Sequence, residues 1–152
     1  MNNANSTAIK YAVVINRSPS EVFNFVTDFR NDTRWWKPVI RTEKVTDGDI
    51  MQGTKFIQYS KVMFVTIQGH LQVIEWNPPL WVKYRNESPQ LPYDLLYKFD
   101  AFEGKTRFSL EADMQMRGVL KVLKPITMWI LHRQLKKYFW LLKEVMEHIS
   151  YR

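Results

Sequence analysis

Apolar residues recur at spacings of three and four through the last part of the chain, from Pro125 to Ser150. This spacing places them along one side of an α-helix. At about 1.5 Å per residue, such a helix is roughly 38 Å long and crosses a domain of this size. It buries its apolar side only against a broad apolar surface. The residues of this stripe are Met128, Leu131, Leu135, Tyr138, Leu142, Val145 and Ile149, widened by Phe139 and Met146.

Upstream of this helix, the pattern changes to an alternation of apolar and polar positions, which is typical of β-strands. The alternation is clearest between Phe108 and Met116. One apolar face and one polar face favour an antiparallel sheet joined by hairpins, and turn residues such as Glu103-Gly104-Lys105 separate the runs. The predicted strands cover residues 7–16, 40–46, 54–59, 61–73, 80–87, 93–101 and 108–116, with a bulge at 74–76.

Two short helices are predicted between the first strand and the rest of the sheet. Ser18, Pro19 and Glu21 have the spacing of a capping box with proline at the first helical position. The polar stretch from Asp28 to Asp32 is expected to end that helix, and residues 33–36 to form a second short turn. The predicted fold class is therefore α+β: an antiparallel sheet of about seven strands wrapped around a long C-terminal helix, in one domain spanning residues 1–152.

Composition excludes several classes of site. The chain contains no cysteine, which rules out disulfides, thiol nucleophiles and thiolate metal sites. The first seven residues are polar and lack the blocks of a secretory signal, and no apolar run approaches about 18 residues. We therefore expect a soluble, cytoplasmic protein.

Positive charge is concentrated near the C-terminus. The net charge is +7, and residues 117–152 hold eight Lys and Arg against two Asp and Glu. This asymmetry suits an acidic partner or an anionic membrane surface, and it equally suits a solvated helix face. Nucleic acid is not expected as a partner because no recognised binding motif is present.

A second set of residues lies on the side of the long helix opposite the apolar stripe. Two tryptophans among cations suit a membrane interface or a homodimer contact. The alternative is that Lys and Arg stems, or a neighbouring segment, cover the indole rings. The residues of this outer face are Trp129, Arg133, Lys136, Trp140 and Lys143.

Several local motifs follow one another along the chain: residues 18–23, Asp28, Trp35, Gly53-Thr54, residues 75–79 and residues 141–144. Together with the order of elements, they resemble the START-like or SRPBCC superfamily, which has the helix-grip fold, and especially its polyketide cyclase/dehydrase and lipid-transport branch. The resemblance covers nearly the whole chain. It implies a sheet curled around the C-terminal helix, enclosing a cavity for an apolar or amphipathic molecule, but it does not identify a reaction.

Strand parity predicts which side chains face the long helix. An apolar wall with a few hydroxyls suits a lipid-like or polycyclic ligand, although the same residues would also make a solid core. The predicted function is binding or transfer of a hydrophobic small molecule, with no metal and no bound cofactor. The predicted cavity residues are Met63, Val65, Ile67, Tyr84, Leu95, Tyr97, Phe99, Phe108, Leu110, Met114, Leu131, His132 and Leu135.

Candidates for catalysis are few. His132 lies on the shoulder of the helical stripe, where it would either serve as an acid or base in the cavity or hydrogen-bond at the helix edge. The sequence shows no inward carboxylate pair, no nucleophile and base pattern, and no metal-ligand spacing of its histidines. No catalytic residue is assigned. A cyclase or dehydratase remains the alternative, and it requires an inward polar cluster including His132 or Tyr97.

Overall fold

The computed structural model describes residues 6–149. A seven-stranded antiparallel sheet curls around one long helix, and the predicted helix-grip fold is confirmed. The strands lie in the order β1-β7-β6-β5-β4-β3-β2. In chain order the elements are β1 (Ser6–Ile15), α1 (Pro19–Val26), a 3-10 helix (Phe29–Arg34), β2 (Val39–Lys44), β3 (Lys55–Val62), β4 (Val65–Asn77), β5 (Trp81–Asn86), β6 (Tyr93–Phe102), β7 (Lys105–Gln115), α2 (Val119–Val122) and α3 (Lys124–His148).

The capping box at α1 forms as predicted. The Ser18 backbone N–H donates to Glu21 Oε2 at 2.9 Å, and the Glu21 N–H donates to Ser18 Oγ at 3.3 Å. The second short helix begins earlier than predicted, because the Asp28 side chain accepts the Arg30 N–H and starts the 3-10 helix at Phe29. The polar stretch predicted to be a break is thus helical, and this turns Phe29 and Asp32 into the interior.

The hairpin between β3 and β4 corrects the predicted strand at residues 61–73. β3 continues to Val62, which pairs directly with Val65, so that Met63 and Phe64 form a two-residue turn. Met63 has a positive φ of 55°, and the sequence places no glycine or asparagine there to mark the turn. Further along β4, the predicted bulge is confirmed by a register shift between Val73 and Glu75.

The C-terminal half of α3 is fixed to the sheet through its last carbonyl groups. The Arg17 guanidinium donates to the backbone oxygens of Met146, Glu147 and Ile149 at 2.8–3.0 Å. These carbonyls are among those that a helix end leaves without an intrahelical partner. The predicted last residue of the helix, Ser150, lies outside the described residues.

The interior has a filled half and an open half. In the filled half, the Phe108 ring stacks on Phe139 of α3 at 5.6 Å and on Phe99 at 5.3 Å, and Phe23 of α1 packs against Phe99 at 5.0 Å. Leu142 and the rest of the C-terminal half of α3 close this end. The space under the N-terminal half of α3 is not filled, and this is where the candidate site lies.

Candidate functional site

A cavity of about 570 Å³ lies between the sheet and the N-terminal half of α3. Small-molecule sites in proteins span roughly 300–1,000 Å³. Leu131 and Leu135 of α3 form one wall, opposite Leu95 of β6 and Leu110 of β7. The cavity reaches the protein surface where its lining residues are exposed, at Lys37, Ile40, Lys61 and Met63.

Eight of the predicted cavity residues line this space, and their role in binding stays a prediction. Met63 does so from the hairpin turn and not from a strand, with its sulfur 3.6 Å from Thr127 Oγ1. Strand parity placed the strand residues among the others on the inner face, because the strands alternate as expected, and helical spacing placed the two residues of α3. The eight are Met63, Ile67, Leu95, Tyr97, Leu110, Met114, Leu131 and Leu135.

The other five predicted cavity residues lie elsewhere. Phe99 and Phe108 also face inward, but their rings pack against each other in the filled half. Tyr84 is fully buried behind the cavity wall, where its ring packs against Phe29 and Tyr97. Val65 packs beside the small cluster of Ile67, Met116 and Leu120. His132 is exposed on α3, because its position one residue from Leu131 turns it about 100° away from the cavity.

The predicted outer face of α3 is solvent-exposed, with one correction. Trp129 and Trp140 are 59% and 58% exposed. Arg133 lies over the Trp129 ring at 5.0 Å, yet more than half of that indole stays open. Lys143 does not belong with them, because its Nζ donates to Val14 O of β1 at 2.8 Å and pairs with Glu147.

Sequence reasoning missed a buried carboxyl group in the cavity wall. Asp32 of the 3-10 helix is 4% exposed and Gln58 of β3 is 7% exposed. Gln58 Nε2 donates to Asp32 Oδ2 at 2.9 Å and to Thr42 Oγ1 at 3.1 Å. Among the described residues, Asp32 Oδ1 has no hydrogen-bond partner. One oxygen of this buried group is thus held, and the other is enclosed by the protein without a partner among the described residues.

Burial governs the protonation of Asp32. It raises the pKa of this carboxyl well above the usual value, since a charge is costly where water is absent. The hydrogen bond from Gln58 opposes that rise, and so does the N–H of the nearby Trp35 indole, which acts on the same carboxyl. The environment therefore favours the neutral acid.

Two tyrosines extend the polar part of the wall. Burial raises the pKa of Tyr97 and of Tyr93, and the proximity of Asp32 raises both further. Both line the cavity from β6, and neither hydroxyl forms a hydrogen bond to another residue in the range 6–149. Tyr84, by contrast, donates to Thr27 O at 3.0 Å and is tied to the scaffold.

Asn86 of β5 adds a second unpartnered oxygen to the wall. Its Nδ2 donates to Leu91 O at 3.0 Å, while Oδ1 has no partner among the described residues. Gly69 on the neighbouring strand leaves room for this amide, since a Cβ there would lie 3.0 Å from Asn86 Oδ1. The cavity is thus mainly apolar, and its polar lining includes Asp32, Gln58, Asn86 and the two tyrosines.

The sequence carried little signal for these polar groups. Gln58 lies in β3, where apolar residues occur at both parities, as in Phe56, Ile57 and Tyr59, so that the inward face was ambiguous. Asp32 lies in a polar stretch that resembled a loop. Within residues 6–149 no group of His, Asp or Glu is arranged to hold a metal ion, and no helix is long and apolar enough to cross a membrane.

The sequence profile of the polyketide cyclase/dehydrase and lipid transport family matches residues 6–147. The chain belongs to this family. Its members are thereby expected to share the element order described above. Among curated protein sequences, none is significantly similar to this polyketide cyclase/dehydrase and lipid transport family protein.

Solved structures with the same fold are numerous and distant in sequence. TTHA0849 from Thermus thermophilus has a TM-score of 0.76 at 14% identity, covering 92% of this chain and 97% of its own. A START superfamily protein from Mycobacterium smegmatis has a TM-score of 0.75 at 9% identity, covering 94% and 99%. The Zhui aromatase/cyclase from Streptomyces sp. R1128 has a TM-score of 0.66 at 12% identity, covering 93% and 91%. At these low sequence identities, the similarity shows that the proteins share a fold, and it does not show that they share a ligand.

Proposed function

We propose that this protein binds a hydrophobic small molecule between the sheet and the N-terminal half of α3, and carries it without a cofactor. The supporting observation is the cavity of about 570 Å³, which is lined mainly by aliphatic and aromatic side chains and reaches the surface. An apolar molecule entering it leaves water and fills space that the side chains leave open. The description of the family also includes lipid transport.

The structure explains how such a space persists in a folded domain. α3 is held at its C-terminal end by Arg17 and by the stacked rings of Phe108 and Phe139. Its N-terminal half needs no filling beneath it to stay in place, because the helix is one rigid element. Leu131 and Leu135 can therefore present an apolar wall to an empty volume.

Titration with the neutral, environment-sensitive dye Nile red tests this function, together with mass spectrometry of solvent extracts from the purified protein. The dye is expected to brighten and saturate at one site. Ala112→Phe places a ring in the cavity and is expected to weaken dye binding at least tenfold. Ala101→Phe, at an exposed position of β6, is the matched control. Absence of saturable uptake by the unaltered protein, or equal binding by both variants, would contradict the proposal.

A second candidate function, docking on an anionic membrane, is supported by the surface beside the cavity opening. The β3–β4 turn meets α3 through Met63 and Thr127. The segments that meet here, or directly precede this part of α3, carry exposed apolar side chains: Phe64 in the turn, Val122 of α2, and Ile126 and Trp129 of α3. Apolar groups of this kind insert at a membrane interface, and nearby cations meet acidic headgroups.

Charge around the opening has a single sign over a long segment. Residues 114–143 contain seven Lys and Arg and no Asp or Glu. Lys61 at the end of β3 and Lys121 of α2 are exposed beside the same junction. An acidic lipid surface is the partner that this arrangement fits, and docking there would bring the cavity opening to the lipid.

Liposome co-sedimentation compares the two exposed tryptophans of α3. Trp129 lies in the N-terminal half of α3, which covers the cavity, and Trp140 lies about 16 Å further along the helix with almost the same exposure. We expect binding to vesicles containing phosphatidylglycerol but not to pure phosphatidylcholine, and we expect Trp129→Ala and Phe64→Ala to weaken it. Trp140→Ala is the control. An equal loss with Trp140→Ala would place the contact on the whole outer face, and no binding would refute docking.

The alternative function, a cyclase or dehydratase, requires a polar cluster in the cavity that includes His132 or Tyr97, and one of these two residues lies there. Tyr97 lines the space, whereas His132 lies outside it. The cytoplasmic location, the homodimer contact, and the expectation of no nucleic acid, metal or cofactor remain predictions.

A further inference from the structure

Tyr97 of β6 is a buried cavity residue whose polar atom the scaffold leaves without a partner. The residue is 3% exposed and lines the cavity, and its hydroxyl forms no hydrogen bond to another residue in the range 6–149. The hydroxyl of Tyr84, one strand away, instead donates to Thr27 O at 3.0 Å. A buried polar group without a protein partner lowers stability, so its presence in a cavity wall points to a partner supplied by a ligand.

The hydroxyl of Tyr97 is reached from the cavity, which distinguishes it from the unpartnered oxygens nearby. Asp32 Oδ1 and Asn86 Oδ1 are enclosed by the protein and have no partner among the described residues. The Tyr97 hydroxyl also lacks such a partner, but it is not one of the enclosed atoms. Because Tyr97 is buried from the outer surface, the cavity is the side on which this hydroxyl is accessible.

The ring of Tyr97 is packed on several sides, which fixes the position of its hydroxyl. Its centroid lies 5.1 Å from that of Phe108, 5.7 Å from that of Tyr84 and 6.3 Å from that of Phe29. A hydrogen-bond donor that is held in place before binding loses little conformational freedom when it meets its acceptor. Tyr97 therefore presents a preorganised donor to the cavity.

We propose that Tyr97 is a ligand-binding residue whose O–H donates a hydrogen bond to a neutral acceptor, a ketone or ester carbonyl oxygen, on the hydrophobic molecule in the cavity. This inference rests on the proposed function and names the chemistry of its ligand. Burial raises the pKa of Tyr97 well above its ordinary value and the nearby Asp32 raises it further, so the hydroxyl keeps the proton that it donates. A carbonyl oxygen accepts this proton without bringing another that needs an acceptor.

The surrounding groups favour a neutral acceptor over a carboxylate. The lysines of the lining, Lys37 and Lys61, are exposed at the opening, whereas Tyr97 is buried. Asp32 lies close enough to raise the pKa of Tyr97, so a carboxylate bound to this hydroxyl would also approach an acidic side chain. A buried carboxylate without a cation is costly to desolvate, and a carbonyl group carries no charge.

Fluorenone and fluorene test the inference, because they are rigid three-ring molecules of nearly the same shape that differ by one carbonyl oxygen. Affinities are measured by displacement of Nile red. We expect the preference for fluorenone over fluorene to fall about tenfold in Tyr97→Phe, because the carbonyl is then buried without its donor. Tyr84→Phe is the matched control, since it removes the same atom from a tyrosine that does not line the cavity, and it is expected to keep the preference.

Urea unfolding without ligand separates a role in binding from a role in the scaffold. Tyr84→Phe removes the donor to Thr27 O and is expected to lower the urea midpoint. Tyr97→Phe removes a hydroxyl without a partner among the described residues and is expected to leave the midpoint unchanged or to raise it. A midpoint that falls as far in Tyr97→Phe as in Tyr84→Phe would assign the hydroxyl to the scaffold and contradict the proposal.

The infrared carbonyl stretch of bound fluorenone reports the bond itself. It is expected at lower frequency in the unaltered protein and in Tyr84→Phe than in Tyr97→Phe. A preference or a carbonyl band that Tyr97→Phe leaves in place overturns the role of Tyr97 while the cavity still binds, as does a loss found with Tyr93→Phe instead. Failure of both probes and of Nile red instead overturns the proposed function. Far-ultraviolet circular dichroism of each variant confirms that it is folded.

Discussion

Leu135 and Leu142 provide a direct comparison of the open and filled halves of the interior. They lie seven residues apart on the same side of α3, and both are buried, at 3% and 0% exposure. Leu135 borders the cavity, whereas Leu142 belongs to the packed core and does not line the cavity. Substituting each by alanine makes the same chemical change in the interior of the same helix, so the gain in helix propensity cancels in the comparison.

The two substitutions differ in the space that they leave. Each removes three carbon atoms, which at about 0.8 kcal/mol per buried group corresponds to a transfer cost of about 2.4 kcal/mol. At Leu142 a new void adds a cavity cost, and core substitutions of this type reach about 5 kcal/mol in total. At Leu135 one side of the side chain already faces empty volume, so little is added. We expect a loss of about 4–5 kcal/mol for Leu142→Ala and about 2 kcal/mol for Leu135→Ala.

Urea unfolding followed by far-ultraviolet circular dichroism measures both losses in the absence of ligand. The two unfolding curves must have the same slope for the comparison to report stability alone. A difference of less than about 0.5 kcal/mol between the variants would refute the division of the interior, because it would mean that Leu135 is packed as tightly as Leu142.

Three further predictions concern single polar groups. Burial raises the pKa of Asp32 in the folded state, so the free energy of unfolding falls as the pH rises from 3.8, the usual pKa of an aspartate, towards the raised pKa. Asp32→Asn removes this loss and is expected to be about 1–3 kcal/mol more stable than the unaltered protein at pH 7 and equally stable below pH 3.8. Thermal unfolding at a series of pH values measures the difference. Arg17→Met leaves three carbonyls at the end of α3 without their donor and should lower the free energy of unfolding, measured in urea, by about 1.5–3 kcal/mol. Arg17→Lys should recover part of this loss, because lysine keeps the positive charge but lacks the several N–H donors of the guanidinium group. Ser18→Ala removes the cap of α1 and should cost about 1 kcal/mol, whereas alanine at the exposed Ser20 should have almost no effect.

Periodic burial made much of the fold predictable from the sequence. The stripe on α3 and the alternation along β7 each repeat over several turns or residue pairs, so that single exceptions do not hide them. The capping box at Ser18 was predictable for a different reason, since its hydrogen bonds are local in sequence. The β3–β4 turn had neither advantage. Val62 and Val65 are directly paired, so the apolar pattern runs through Met63 and Phe64 without a break.

The cavity itself was not predictable from parity, because parity reports only which face a side chain takes. Leu110 and Phe108 occupy the same face of β7, yet one lines the open space and the other stacks on Phe139. What separates them is the presence of α1, whose Phe23 fills the space above one half of the sheet. That contact joins residues far apart in the chain, and no local pattern specifies it.

Stability and binding are supported by different halves of this molecule. The filled half has stacked rings, the buried α3 residues Phe139, Leu142 and Met146, and the hydrogen bonds from Arg17 to the last carbonyls of α3. The open half has an unfilled volume and, among the described residues, two buried oxygens without partners, at Asp32 and Asn86, and each of these features lowers the free energy of unfolding. Such features persist only where the rest of the fold offsets them. Substitutions around the cavity should therefore change binding more than stability, and substitutions around Phe108 should do the reverse.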